Sequence, residues 1–320
     1  MVIASIPSMD NEVVIAMRGC SIQFGKFRAI DRVGFDVYAG EVFGLLGPNG
    51  SGKTTLMNLM TGLVHPGSGS ISVRGVSPFA PEKLMRIVGY ATQYDAAPRG
   101  VTGFGFVLAG LLLHGFPRAE AERRAALAIE TVALTHASSR KIAAYSKGMR
   151  QRIRLAQAIA HEPEVLVLDE PLNGLDPLVR AETIALFRDY AARGRHVILS
   201  SHVLQEVDVF SDQVILIANG MIVAEGEIRN VRDEIHEHPS QFLLHCQQPS
   251  RVASLLFEQA EVLAVKIDPE GRGVLVTTRH RDAFAAAVQR IALSGIEIDG
   301  VLPMDENVDA LYEYLIGGGK

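Results

Sequence analysis

Val33, Phe35 and Val37 alternate with Gly34 and Asp36, the two-residue period of a strand with one buried face. Val13 to Met17 is a short apolar run, so the N-terminal part reads as β-rich. Glu41 to Leu46 is an apolar segment that runs into glycine, and Leu56 to Leu63 then takes up helical spacing. Glu164 to Leu168 and His196 to Leu199 are short runs of Val, Ile and Leu, as suits parallel strands buried on both faces. Ahead of these two strands, residues 101–161 are rich in Ala, Leu, Arg and Glu and read as largely helical. No internal repeat interrupts this order.

The tail has a different rhythm. Phe242 to Cys246 reads as a strand, Arg251 to Gln259 as a helix and Val262 to Ile267 as a strand. Pro269 to Gly273 reads as a turn, followed by a strand from Val274 to Thr277 and helices over Asp282 to Ala292 and Asp309 to Ile316. This pattern predicts a small α+β domain of split βαβ type.

Charge separates the same two parts. The chain has 320 residues, 48% of them hydrophobic, with 31 basic and 36 acidic side chains. Residues 1–230 carry 23 basic and 22 acidic groups, whereas residues 231–320 carry 8 and 14. The boundary falls near residue 230, where the polar stretch Arg232 to Pro239 reads as a linker. The domains expected are therefore 1–230 and 231–320, with a helical subdomain at about 95–162 in the first. A net charge of −5 excludes nucleic-acid binding driven by global charge. Cys20 and Cys246, 226 positions apart, form no metal or disulfide framework and suit a reducing compartment.

The first twelve residues lack the basic segment and apolar run of a secretory signal. Gly100 to Pro117 has no charged side chain across 18 positions, but it carries five glycines and His114. Each helical glycine costs about 1 kcal/mol relative to Ala, and a span needs about 20 residues. A membrane-spanning reading is disfavoured. His236, His238, His245 and Cys246 lie close together, but their polar setting reads as linker rather than as a metal centre.

The strongest chemical signal is Gly47-Pro48-Asn49-Gly50-Ser51-Gly52-Lys53-Thr54-Thr55, set between an apolar strand and a helix. Its glycines let successive N–H groups turn inward around phosphate oxygens, at a helix N-terminus that favours an anion. Lys53 reaches the β- and γ-phosphates of a nucleotide, and the Thr54 hydroxyl suits Mg²⁺. The second signal is Val165-Leu-Val-Leu-Asp169-Glu170, which sets two carboxylates at the C-terminal edge of a strand, where open α/β sheets bind ligands. Asp169 suits Mg²⁺, and Glu170 suits the role of general base for a water. A third segment, Tyr145 to Arg152, offers Ser146 as a helix cap, Gly148 for close backbone approach, and positive charge from Lys147, Arg150 and Arg152. It reads as a second phosphate-binding surface.

Taken in order over about residues 13–229, these segments resemble the ATP-binding subunit of an ABC transporter. Phe24 matches the aromatic residue that stacks on adenine in that family, with Phe where most members have Tyr. Gln93 matches the Q-loop glutamine, Ser146 to Met149 the signature, Asp176 the D-loop aspartate and His202 the switch histidine. The signature departs from the common Leu-Ser-Gly-Gly-Gln, because Lys147 replaces the first Gly and Met149 the Gln. That variant resembles the exporter branch whose permeases are separate membrane proteins.

The resemblance implies an α/β fold: a P-loop NTPase of the ABC type with a mixed sheet core, an N-terminal antiparallel β region, a helical subdomain and a small C-terminal α+β domain. It implies ATP and Mg²⁺ as cofactors, with metal at Thr54, Gln93 and Asp169, and catalysis by Glu170, His202 and Gln93. Nucleotide contacts would come from Phe24, the loop 47–55, Ser146, Gly148 and Asp176. The partners implied are a second ATP-binding subunit in a head-to-tail dimer and a separate integral membrane permease, on the cytoplasmic face of the membrane. Residues 100–117 would supply the docking surface, although the family's usual acidic, Leu-Thr-rich start is replaced by Gly103-Phe-Gly-Phe106. The competing reading is a soluble ABC ATPase that remodels a cytosolic or ribosomal partner. A single phosphate loop, a single signature and the extra domain favour transport.

Overall fold

The structure is a computed structural model that describes residues 12–40, 42–93, 100–203, 206, 207, 209, 211, 213–228, 240–260, 262–268 and 273–303. The chain divides into two compact units, Met1–Ile228 and Arg229–Lys320.

The first unit begins with β1 (Val13–Phe24) and β2 (Phe27–Tyr38), an antiparallel pair joined by a turn at Gly25-Lys26. β3 (Val42–Leu46) leads through the glycine-rich loop into α1 (Lys53–Met60), and β4 (Ser68–Val73) returns to pair with β1. α2 (Pro81–Ile87) and β5 (Val88–Ala91) follow. The apolar Gly-rich run forms α3 (Gly103–Leu113), which precedes α4 (Arg118–Thr131). Two single turns of 3₁₀ helix then lead to α5 (Lys147–Ile159), which is capped by Ser146. β6 (Val165–Leu168), α6 (Pro177–Ala192), β7 (His196–Ser201), β8 (Gln213–Ala218) and β9 (Met221–Glu227) complete the unit.

Two sheets result. One is three-stranded and antiparallel, in the order β2-β1-β4. The other has six strands in the order β5-β6-β7-β3-β8-β9, parallel except for the antiparallel edge strand β9. Every residue of β6 and β7 is buried, so β6 and the Val197 to Leu199 stretch of β7 are apolar runs, while Ser200 and Ser201 are buried at the C-terminal end of β7. The two sheets share a core through Ile15, Met17, Ile30, Leu45, Met57, Val167 and Ile215. Burying each such side chain contributes about 1.5–3 kcal/mol relative to exposure. α3 is 11 residues long, and no helix among the described residues is long and apolar enough to cross a membrane.

The second unit contains β10 (Ser240–Cys246), α7 (Pro249–Phe257), β11 (Val262–Ile267), β12 (Gly273–Thr278), α8 (Arg281–Leu293) and β13 (Ile298–Pro303). Its strands pair antiparallel in the order β11-β12-β10-β13, a split βαβ arrangement of ferredoxin type. Leu244, Val252, Leu256, Val274, Val276 and Phe284 form its core. The linker at 232–239, with His236 and His238, and the helix expected over 309–316 lie outside the described residues. Among the described residues no group of His, Cys, Asp and Glu has the geometry of a metal site.

Candidate functional site

The strand order brings together segments that are far apart in sequence. β5, β6, β7 and β3 are consecutive neighbours, and their C-terminal ends carry Gln93, the Asp169-Glu170 pair, Ser200 to His202 and the loop 47–52. Register aligns Ala91 with Leu168, Leu168 with Leu199 and Leu46 with Ser201. A line of chemistry thus follows one edge of the parallel sheet, where ligands bind in such folds.

The loop leads into α1 through Gly52, which adopts φ 113° and ψ 2° as the helix cap. A Cβ on Gly52 would lie 2.7 Å from Ile30 Cδ1 and 2.9 Å from the Ala29 carbonyl, so β2 leaves no room for a side chain. The first bond of the helix runs from Leu56 N–H to the Gly52 carbonyl. Intrahelical bonding thus starts at Leu56, and the first turn of α1 presents a helix N-terminus, whose N–H groups and partial positive charge suit an anion. Lys53 is buried and donates from Nζ to the carbonyls of Gly47 at 2.6 Å and Pro48 at 2.9 Å. Ser51 Oγ is buried and has no hydrogen-bond partner among the described residues, and the Ser51 carbonyl accepts from Gly220 N–H. Pro48, Asn49 and Gly50 form the outer turn of the loop.

The Thr54 hydroxyl donates to Asp169 Oδ2 at 2.8 Å, and the Ser200 hydroxyl donates to Asp169 Oδ1 at 2.7 Å. The same Ser200 oxygen accepts from the Glu170 N–H at 2.9 Å, so it bridges the two acids. Glu170 sits at φ 49°, a left-handed conformation that costs a non-glycine residue and persists only where its surroundings enforce it. Gln93 Nε2 donates to Glu170 Oε2 at 2.9 Å, and Asn173 Nδ2 donates to the same oxygen at 3.1 Å. His202 Nδ1 lies 3.3 Å from Glu170 Oε1. The Glu170 side chain is 5% exposed and that of His202 is 37% exposed. A buried carboxylate is tolerated when hydrogen-bonded in this way.

The signature segment is placed differently. Ser146 caps α5 by accepting from Met149 N–H at 3.2 Å, and Gly148 lies against Leu175. Arg150 donates to the Tyr145 carbonyl at 2.6 Å and Arg152 to the Val132 carbonyl at 3.3 Å. Both arginines thus serve backbone oxygens within the helical region, and the positive charge left on this turn is Lys147, which is exposed. Asp176 caps α6, accepting from Val179 N–H at 3.0 Å. Phe24 is 52% exposed beside the β1–β2 turn, directly across from Phe27, which is 64% exposed.

Sequence reasoning misses Ser200, Asn173, Gln151 and Arg154. Gln151 Nε2 donates to the Glu170 carbonyl at 3.3 Å. Arg154 donates to the carbonyls of Thr92 at 3.1 Å and Gln93 at 3.0 Å, which fixes the backbone that carries the glutamine. Ser200 stands two places before His202 and Asn173 three places after Glu170, so proximity to a motif is the only signal either gives.

A glycine-rich loop at a helix N-terminus, a hydroxyl on one carboxylate and a second, strained carboxylate ringed by donors define a phosphate-loop ATPase site. The ABC transporter family model matches residues 30–173. The Doxorubicin resistance ATP-binding protein DrrA of Mycobacterium tuberculosis is 35% identical over 229 residues, 70% of this chain and 68% of that protein. The Daunorubicin resistance ATP-binding protein DrrA3 of Streptomyces coeruleorubidus is 29% identical over 97% of this chain and 98% of that protein. A solved structure of the ATP binding subunit of an ABC transporter superimposes with a TM-score of 0.63 at 28% identity, over 69% of this chain and 92% of that one. The chain belongs to the ABC transporter family, as an ATP-binding and ATP-hydrolysing subunit.

Proposed function

We infer that this chain energises export through a separate membrane permease, hydrolysing ATP at two composite sites formed by head-to-tail pairing of two copies. The observation that carries the catalytic part is the convergence of Gln93, Asn173 and His202 on the Glu170 carboxylate, beside an Asp169 already bonded to Thr54 and Ser200. In this reading Lys53 and the N–H groups of the loop hold the β- and γ-phosphates, and Phe24 stacks on adenine. Glu170 takes the proton of the attacking water, and Gln93 and His202 orient that water and the γ-phosphate. Ser146 and Gly148 contact the nucleotide held by the other copy, and Asp176 faces the seam between copies.

The residues present fit Mg²⁺. Thr54 Oγ1 and Asp169 Oδ2 are hard oxygen donors already 2.8 Å apart, and Mg²⁺ prefers one or two carboxylates together with phosphate oxygens and water. Thr54 and Asp169 would hold it, with the Gln93 amide oxygen as a third donor. Bound there, the ion would neutralise charge on the phosphate oxygens.

Export is supported by the two relatives named for drug resistance, one of which matches along the second unit as well. The docking surface is proposed at the end of α3, where Leu112 is 41% and Leu113 84% exposed. Exposed leucines at a helix end suit a partner surface better than water. In cell fractionation, the tagged chain should sediment with membranes at the cytoplasmic face and co-purify with a polytopic membrane protein. Leu113→Asp should release it into the soluble fraction. Co-purification with ribosomes alone would contradict the transport reading.

A further inference from the structure

Asn173 and Lys147 connect the two phosphate-binding surfaces of one chain. Asn173 Nδ2 donates to Glu170 Oε2 at 3.1 Å, and its other end, Oδ1, lies 3.5 Å from Lys147 Nζ. An amide is suited to this place, because it offers a donor to the carboxylate and an acceptor to the ammonium. The lysine is held over the segment by shape as well. Gly174 has φ +75°, and a Cβ there would lie 2.6–2.7 Å from Lys147 Cε, Cδ and Nζ, so the lysine stem crosses the bare glycine. Gly148 meets Leu175 on the same segment. The signature turn thus packs on residues 173–175, which follow directly from the strained Glu170.

We propose that Asn173 is a positioning residue for Glu170 and that Lys147 orients it, so that the signature turn of each chain helps to set that chain's own catalytic carboxylate. This rests on the reading of Glu170 as the base. Asn173 presents one carboxylate oxygen in a fixed direction and leaves the other to His202 and the water. Lys147 prevents the amide from flipping, since a flipped amide would set its oxygen against the carboxylate and its NH₂ against the ammonium. Both side chains belong to exposed residues, so replacing them opens no core.

The test is steady-state ATP hydrolysis by the purified full-length chain carrying Asn173→Ala, Lys147→Ala, Lys147→Arg or both alanines, with Glu170→Gln alongside. Loss of one hydrogen bond to a charged group predicts a kcat about tenfold lower for Asn173→Ala, with KM for ATP unchanged. Lys147→Ala should lower kcat to a smaller extent, Lys147→Arg should restore it, and the double variant should be no slower than Asn173→Ala. Parent kcat in Asn173→Ala, or a double variant whose loss is the product of the two single losses, overturns the proposal while the base assignment stands. Parent kcat in Glu170→Gln overturns both.

Discussion

A Glu170→Gln chain should bind ATP as tightly as the parent and hydrolyse it about 10²–10⁴-fold more slowly, the usual contribution of a positioned general base. The substitution keeps the length and shape of the side chain. Its amide oxygen can still accept from Gln93 Nε2 and Asn173 Nδ2, which both address the one oxygen Oε2. What disappears is the capacity to take a proton. Under the head-to-tail reading, two copies close around ATP and reopen only after hydrolysis. The variant should therefore elute or sediment at twice its monomer mass in ATP and at monomer mass in ADP. Parent turnover by this variant would remove Glu170 from the chemistry.

Lys53→Ala acts one step earlier. The ammonium is buried and bonded to the carbonyls of Gly47 and Pro48, so it braces the loop from inside. Its removal costs hydrogen bonds between a cation and the nucleotide phosphates, each worth about 1.5–3 kcal/mol. The expected loss of ATP affinity is about 10–150-fold, measured by calorimetry or by displacement of a fluorescent nucleotide. Unchanged affinity would contradict the phosphate-loop assignment.

Much of this site is legible in the chain because its chemistry is local. The loop 47–55 needs consecutive glycines and a lysine at a helix start, and Asp169-Glu170 needs only the end of an apolar strand. Asn173, Ser200, Gln151 and Arg154 are illegible for the opposite reason. Each is an ordinary polar residue whose role depends on which strand its neighbour pairs with. The order β5-β6-β7-β3 that sets Ser200 against Asp169 cannot be read from the segments singly. Asp176 is legible as a motif member, and its own carboxylate caps α6 by accepting from Val179 N–H, with Pro177 in the first turn.

The fold shows a similar division. Alternation finds β2 at Val33, Phe35 and Val37 but underestimates β1. That strand continues to Phe24 past a register shift beside Gly19, at φ +58°, where the period of two breaks. The hairpin of β8 and β9 is absent from the pattern reading, although Asn219-Gly220 marks it. Both residues have positive φ, 47° and 75°, as a two-residue turn of that sequence requires. In the second unit β10, α7, β11, β12 and α8 are legible from apolar runs, whereas β13 is absent from the pattern reading and the sheet order β11-β12-β10-β13 depends on long-range pairing.

The central claim is that each ATP is held by the loop of one chain and the signature of another. Mixing two inactive variants tests it directly. Lys53→Ala disables the loop. Gly148→Asp places a negative charge on the signature turn, where a Cβ would meet only Leu175 at 3.5 Å and Gly174 O at 3.9 Å. Each variant alone has no intact pair. In the mixed dimer the Lys53 loop of one chain meets the Gly148 turn of the other, and one composite site is whole. The account predicts that mixing the two purified variants restores a substantial fraction of parental ATP hydrolysis. A mixture as inactive as its components, at concentrations where the parent is active, would contradict it.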